Sequence, residues 1–241
     1  MVPLRGGLVV YYFMNTGVNE TTPTFPPGFR MISGDAERRN ISVPIPDPPK
    51  SQWTNQDTTQ HALRQKALGF NCLGSVPPEG SLQRHFLPSK TFIDQHCPAG
   101  LRLELMFPSC WDGVNLDSDD HRSHVAFPSM VQDGKCPDGF STLLPTLFYE
   151  IAWETTTFKN LSGHFVLANN DPTGFGYHGD FISGWDPLLL RAAGERCTDE
   201  SGQVEKCEVF SLRDEKCEFP IPLEVQNEDY YGPRSGLPGL A

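Results

Sequence analysis

The sequence has no apolar run long enough to cross a membrane and no long run of basic residues. Its N-terminal apolar stretch falls well short of the roughly 18 residues that a membrane-spanning helix needs. Its 19 Lys and Arg are outnumbered by 30 Asp and Glu, and the formal charge is -11. Such a charge opposes binding to nucleic acid and to anionic membranes. These absences exclude a membrane span and argue against a function in nucleic-acid binding.

Compact catalytic and metal motifs are also missing. No His-Glu-x-x-His sequence, no Gly-x-Ser-x-Gly elbow and no Cys-x-x-Cys pair occurs in the chain. The first two absences exclude the common zinc-protease and hydrolase signatures. The third leaves disulfide bonds as the natural use of the cysteines.

Glycine and proline are abundant, with 22 of each. Together they exceed the average share of roughly 12% of residues and predict many turns joining short strands. We therefore predict an all-β fold, a β-sandwich or jelly roll with two or three short helices, stabilised by disulfides. A single domain is expected over residues 1–225, followed by a disordered tail over 226–241.

Alternating apolar residues mark the individual strands. Leu8, Val10 and Tyr12 share one face of the first. Five further strands are predicted over 29–33, 101–107, 146–153, 163–168 and 176–185. One helix is predicted from an Asp57 cap to Gly69, and another from an Asp186 cap through Pro187 to Gly194.

The cysteines and glycosylation motifs indicate secretion. Seven cysteines without metal spacing are typical of an oxidising compartment. Asn19, Asn40 and Asn160 stand in Asn-x-Ser/Thr motifs and are predicted to be glycosylated. The pairing cannot be deduced from spacing, and it stays open. The cysteines are Cys72, Cys97, Cys110, Cys136, Cys197, Cys207 and Cys217.

The N-terminus has no signal-peptide cleavage site and opens in mid-strand. With an odd number of cysteines, this predicts that a preceding segment, including a signal peptide, is missing. Cys197, Cys207 and Cys217 are then expected to find partners in that segment or further upstream.

Three blocks carry a family resemblance: FPPGFRMISGD (25–35), the stretch from Cys97 to Pro128, and GYHGDFISGWDP (176–187). They resemble the secreted, mainly fungal domain-of-unknown-function family nineteen ninety-six, often joined to WSC carbohydrate-binding modules. The resemblance implies secretion and a cell-wall or plant-polysaccharide setting. Members usually begin with a signal peptide and a His-x-His-containing segment, both absent here. The resemblance supplies no reaction.

The stretch from Trp111 to Pro128 concentrates carboxylates and histidines. It fits a loop held by its own hydrogen bonds, an acid/base site, or a metal site. In a strand, His121 and His124 would face opposite sides; in a loop they could converge. Asp120 with His121 is one catalytic candidate pair, and Asp112 and His124 are candidate substrate-binding residues.

His178 and Asp180 form the second candidate pair. Two positions apart in a predicted strand, they project from one face, and Trp185 follows as a candidate sugar-binding ring. A histidine and a carboxylate beside an aromatic ring suit a glycan cleft, with His178 and Asp180 as acid and base.

Three functions follow from these residues. The first is a secreted enzyme that cleaves cell-wall or plant polysaccharide. The second is a non-catalytic glycan-binding or structural wall protein. The third is a metal-dependent hydrolase or oxidase, with a divalent metal on His121, His124 and His178.

Overall fold

A computed structural model of the chain describes residues 1–14, 23–197, 199 and 201–212. In chain order the strands of this described part are β1 (Leu4–Phe13), β2 (Arg30–Gly34), β3 (Leu68–Cys72), β4 (Leu101–Met106), β5 (Cys110–Trp111), β6 (Val125–Ala126), β7 (Thr142–Leu143), β8 (Thr146–Trp153) and β9 (His178–Ile182). The α-helices are α1 (Gln60–Lys66), α2 (Lys90–His96) and α3 (Pro187–Arg196).

The largest sheet has the strand order β1-β8-β4-β3, and every pairing in it is antiparallel. Strands β2 and β9 form a separate antiparallel pair, which we call the ribbon. Strands β6, β5 and β7 form a small third sheet. The predicted all-β fold with few short helices is confirmed.

The ribbon packs on the large sheet through its inward side chains. Met31 of β2 lies opposite Phe181 of β9, and both are buried. Their neighbour Gly179 permits close approach, because a Cβ atom there would lie 2.7 Å from Leu105 Cδ2. The core between the layers is built mainly from aromatic and leucine side chains. They include Phe25, Phe29, Phe70, Leu101, Leu103, Phe107, Leu144 and Leu147.

The opposite face of the large sheet carries a second core around α1. Leu63 and Ala67 pack there against Met106 and Phe148. Lys66 is also buried at this place, with 1% of its side chain exposed. Its ammonium group lies 2.7 Å from Asp47 Oδ1, so the cation is paired inside the protein.

Local sequence signals explain α3 better than α1. Asp186 caps α3 by accepting the N–H groups of Leu188 and Leu189, as predicted, although Gly194 lies inside the helix. The predicted Asp57 cap of α1 is wrong, because Thr59 caps it. Asp57 instead accepts hydrogen bonds from the amide and hydroxyl of Thr54.

Two further predictions need correction. Residues 163–168 form no strand, because Leu167 donates its amide to Asp171 within a turn. Strand β3 was not predicted. All its residues are buried, so they show no polar alternation that a pattern could reveal.

Three disulfides close short loops: Cys72–Cys97, Cys110–Cys136 and Cys197–Cys207. Cys197 and Cys207 therefore pair with each other rather than with an upstream cysteine. Cys217, Asn19 and the tail over 226–241 lie outside the described residues. Asn40 and Asn160 are exposed. Within the described ranges, no helix is both long and apolar enough to span a membrane.

Candidate functional site

The outer face of the ribbon carries the second predicted pair. Because Met31 and Phe181 point inward, the alternating residues point outward. On β9 these are His178, Asp180 and Ile182, opposite Gly34, Ile32 and Arg30 of β2. The predicted shared face of His178 and Asp180 is therefore present.

His178 and Asp180 keep groups for a ligand. His178 Nδ1 donates to the Gly176 carbonyl at 3.0 Å, so Nε2 holds the lone pair of the neutral ring. Asp180 is exposed, and its carboxylate makes no hydrogen bond to another described residue. Its backbone carbonyl accepts from the Tyr149 hydroxyl at 3.3 Å.

Tyr149 is a neutral donor beneath this pair. Burial, followed by the nearby Tyr12 hydroxyl and the Asp180 carboxylate, raises the pKa of Tyr149 to about 12. The phenol therefore stays protonated at neutral pH.

The polar loop over 112–124 runs along the free edge of β2. The amides of Arg30 and Ile32 donate to the carbonyls of Leu116 and His121 at 3.0 and 2.8 Å. Ile32 also lies opposite Asp180. His121 and Asp180 thus flank β2, with their backbones separated by two strand spacings, roughly 10 Å.

Inside this loop, most of the predicted site residues hold the backbone. Asp112 Oδ1 accepts the amides of Val114 and Asn115, both at 2.9 Å. His124 is 2% exposed, and its Nε2 donates to the Arg30 carbonyl at 2.8 Å. The geometry agrees with the interpretation of this stretch as a loop held by its own hydrogen bonds. Sugar contacts by Asp112 and His124 stay predictions.

His121 is held by Asp117, a partner that was not predicted. Its Nδ1 donates to Asp117 Oδ1 at 2.6 Å, and Asp117 Oδ2 lies 3.5 Å from Arg30 Nε. The hydrogen bond from His121 is the main cause that lowers the pKa of Asp117. Arg30 was also missed, because its outward position depends on the ribbon register.

An aromatic cavity of about 340 Å³ lies at the C-terminal end of β9. Trp185 Nε1 donates to the Tyr12 hydroxyl at 2.9 Å, and the two rings meet edge to face at 5.8 Å. Trp185 was predicted as a site residue, whereas Tyr12 was not, because it lies far away in sequence. The cavity is lined by Tyr12, Phe181, Ile182, Gly184, Trp185, Asp186 and Leu189.

A family model described as "Domain of unknown function (DUF1996)" matches residues 1–185. The chain belongs to the DUF1996 family. Among curated proteins nothing matches it, and no solved structure does either. The DUF1996 match covers all nine strands, both candidate pairs and Trp185, whereas α3 and the Cys197–Cys207 disulfide lie beyond it.

Asp120 of this DUF1996 chain is strongly stabilised as a carboxylate. Its Oδ1 accepts from the amides of Arg122 and Ser123 at 3.0 and 2.8 Å, and from the Ser118 hydroxyl at 2.9 Å. Burial alone would raise the pKa of Asp120, but these hydrogen bonds lower it far below its ordinary value. A carboxylate that stays ionised is poorly suited to donate a proton.

The predicted metal ligands do not assemble. Within the described part of the chain, no three His, Cys, Asp or Glu side chains come together in a group that could hold a metal ion. His124 in particular is committed, with Nδ1 2.8 Å from Ser118 Oγ and Nε2 bonded to Arg30.

Replacing Asp120 by alanine is expected to lower the free energy of unfolding by about 1–2 kcal/mol, because backbone donors lose their acceptor. The low pKa of Asp120 in the fold means that its contribution is complete above the unfolded pKa near 3.9. That contribution disappears as pH falls through the folded value.

Urea unfolding of Asp120→Ala at pH 7 and at decreasing pH measures this effect. Asp119→Ala is the control. The Asp119 carboxylate is exposed and accepts no hydrogen bond from a described residue. Equal losses in the two variants would contradict the assignment.

Proposed function

We propose that the protein is a secreted glycan-binding protein that attaches to cell-wall or plant polysaccharide along the outer face of the ribbon. The aromatic cavity around Trp185 and Tyr12 carries this proposal. Sugar rings have apolar faces that stack on aromatic side chains, and hydroxyl groups that need polar partners. Asp180 and His178 supply such partners on the strand that leads into the cavity.

The disulfides and the glycosylation motifs support the proposal that the protein is secreted. Three disulfides and two exposed Asn-x-Ser/Thr sites are typical of proteins that mature in an oxidising compartment.

Binding is favoured over cleavage by the state of the loop residues. Of the first candidate pair, which would have to oppose His178 and Asp180 in a cleaving site, Asp120 is committed to the amides of Arg122 and Ser123, and His121 Nδ1 is bonded to Asp117. A binding site needs no such opposing acid or base.

Cleavage of the bound glycan is the second candidate, and the free Nε2 of His178 favours it. This nitrogen makes no hydrogen bond to a described residue, and Asp180 lies two residues away on the same face. Product release detected by mass spectrometry, and lost in His178→Ala, would support cleavage. Polysaccharide binding without release of products would support glycan binding alone.

Replacing Trp185 by alanine is expected to weaken polysaccharide binding at least tenfold, because a buried aromatic anchor commonly contributes more than about 1.4 kcal/mol. Titration calorimetry against a panel of soluble wall polysaccharides measures the loss. Leu188→Ala is the matched control, since Leu188 is 65% exposed on α3 and does not line the cavity.

Trp185 also packs against the core, so the melting temperature of each variant is needed. Asp180→Asn gives an independent reading, because this exposed side chain has no structural hydrogen bond among the described residues. Unchanged affinity in both folded variants would refute the site.

A further inference from the structure

Three arginines from separate segments lie near one another beside the ribbon, where α1 contacts β2, and we call them the arginine cluster. Arg38 follows β2, Arg64 lies on α1, and Arg122 lies in the polar loop. Only 8% of the Arg38 side chain is exposed, and the other two residues are half-buried. Arg122 Nε is buried without a hydrogen-bond partner among the described residues.

The three positive charges act on one another. Burial lowers the pKa of Arg38, and the charges of Arg64 and Arg122 lower it further, against the opposing effect of Asp35. Burial and the charge of Arg122 likewise lower the pKa of Arg64, against the opposing effects of Asp35 and Asp120. Half-buried cations that repel one another are costly unless an anion accompanies them.

The protein supplies too little negative charge at this place. Asp35 lies 4.0 Å from Arg38, at the limit of an ion pair. Asp120 is the second carboxylate near the cluster, so two negative charges accompany three positive ones. Neither Arg64 nor Arg122 forms a side-chain ion pair with any residue of the described part. A chain of net charge -11 has no general excess of cations to explain the cluster.

The position of the cluster relates it to the ribbon. Asp35 and Arg38 follow Gly34, which lies opposite His178. Arg122 follows His121, whose carbonyl accepts the Ile32 amide. The cluster therefore lies at one end of the ribbon, and the Trp185 cavity lies at the other end, roughly 15 Å away along a five-residue strand.

We infer that Arg38, Arg64 and Arg122 bind a carboxylate of the glycan, so that the ligand is an acidic polysaccharide containing uronic acid. This inference rests on the function proposed above. A guanidinium group offers a planar pair of donors that matches a carboxylate, and the cluster supplies three such groups. The site thus deepens the proposed function by assigning the charge of the ligand.

A matched pair of ligands tests the assignment. The hexasaccharide of galacturonic acid and its fully methyl-esterified form share a sugar backbone but differ in charge. Wild-type protein is expected to bind the acid at least tenfold more tightly in calorimetry. Arg64→Gln and Arg122→Gln are expected to remove most of this preference while leaving the affinity for the ester unchanged.

Arg5→Gln is the control for net charge. Arg5 lies on β1, its side chain is 54% exposed, and it donates to the Ala99 carbonyl. It loses the same charge and is expected to keep the preference for the acid. Equal acid affinity in wild type, Arg64→Gln and Arg122→Gln would overturn the inference.

The two proposals fail in different ways. If neutral polysaccharide binds through Trp185 but the acid has no advantage over the ester, the arginine inference fails alone. If no polysaccharide binds, the proposed function fails, and sodium galacturonate tests the cluster by itself. A rise in melting temperature that is lost in Arg122→Gln would then support the carboxylate site, and no rise would overturn it.

Discussion

Replacing Lys66 by methionine is expected to lower the free energy of unfolding by about 3–5 kcal/mol, the usual cost of removing one partner from a buried ion pair. Lys66 Nζ lies 2.7 Å from Asp47 Oδ1 and 3.5 Å from Asp57 Oδ1. It also stands 4.5 Å above the Trp53 ring. Methionine fills a similar volume but leaves both carboxylates without the cation.

His85 makes this site a network. Its Nδ1 donates to the Leu68 carbonyl at 2.7 Å, and its Nε2 lies 3.2 Å from Asp47 Oδ2. Asp47 therefore joins α1, the start of β3 and the segment before α1. Burial alone would raise the pKa of Asp47, but the neighbouring His85 and the hydrogen bond from Lys66 lower it.

Chemical denaturation at pH 7 measures the loss in Lys66→Met. Lys50→Met is the control, because the Lys50–Asp133 pair is surface-exposed and worth at most about 1 kcal/mol. The Asp47 contribution is complete above the unfolded pKa near 3.9 and is lost as pH falls through the lower folded pKa. Similar losses in the Lys66 and Lys50 variants would show that burial does not strengthen this pair.

Replacing Phe29 by alanine is expected to cost about 3–5 kcal/mol, as for other buried aromatic rings. Phe29 is 0% exposed, and its ring contacts Phe25, Trp111 and His124 at centroid distances of 5.5, 5.8 and 5.4 Å. Its carbonyl accepts the Ser183 amide. The ring therefore holds the polar loop, and the backbone carbonyl of the same residue holds the segment after β9.

Phe29→Leu separates ring volume from burial. It retains most of the apolar contact and is expected to cost less than about 1.5 kcal/mol. Near-ultraviolet circular dichroism reports on all ordered aromatic rings, and the contribution of Trp111 should weaken in Phe29→Ala because its edge-to-face partner is gone. If Phe29→Ala lost less free energy of unfolding than Phe29→Leu, the packing described above would be contradicted.

Strand alternation and helix-capping residues in the sequence correctly predicted several strands and helices. Strand β8 has the bounds that its alternating residues predicted, and α3 begins after the Asp186 cap. The shared face of His178 and Asp180 followed from strand periodicity alone. The Asp57 cap failed because tertiary contacts decide the use of that carboxylate, which faces Lys66 and Thr54.

Long-range contacts account for what the sequence could not predict. Tyr12 meets Trp185 only because β1 and the end of β9 converge. The arginine cluster joins residues 38, 64 and 122, and no spacing rule relates them. The hydrogen bonds of Asp120 are local. Whether residues 112–124 form a loop or a strand, however, depends on their contacts with the edge of β2, which the sequence does not reveal.

Strand pairing also sets the order in which the molecule can be completed during synthesis. Strands β1 and β2 leave the ribosome first, yet they pair with β8 and β9, which follow more than a hundred residues later. Closing such long loops is slow and leaves strand edges exposed in the nascent chain. The ribbon can therefore assemble only after translation has passed residue 182, and we expect slow refolding that benefits from chaperones.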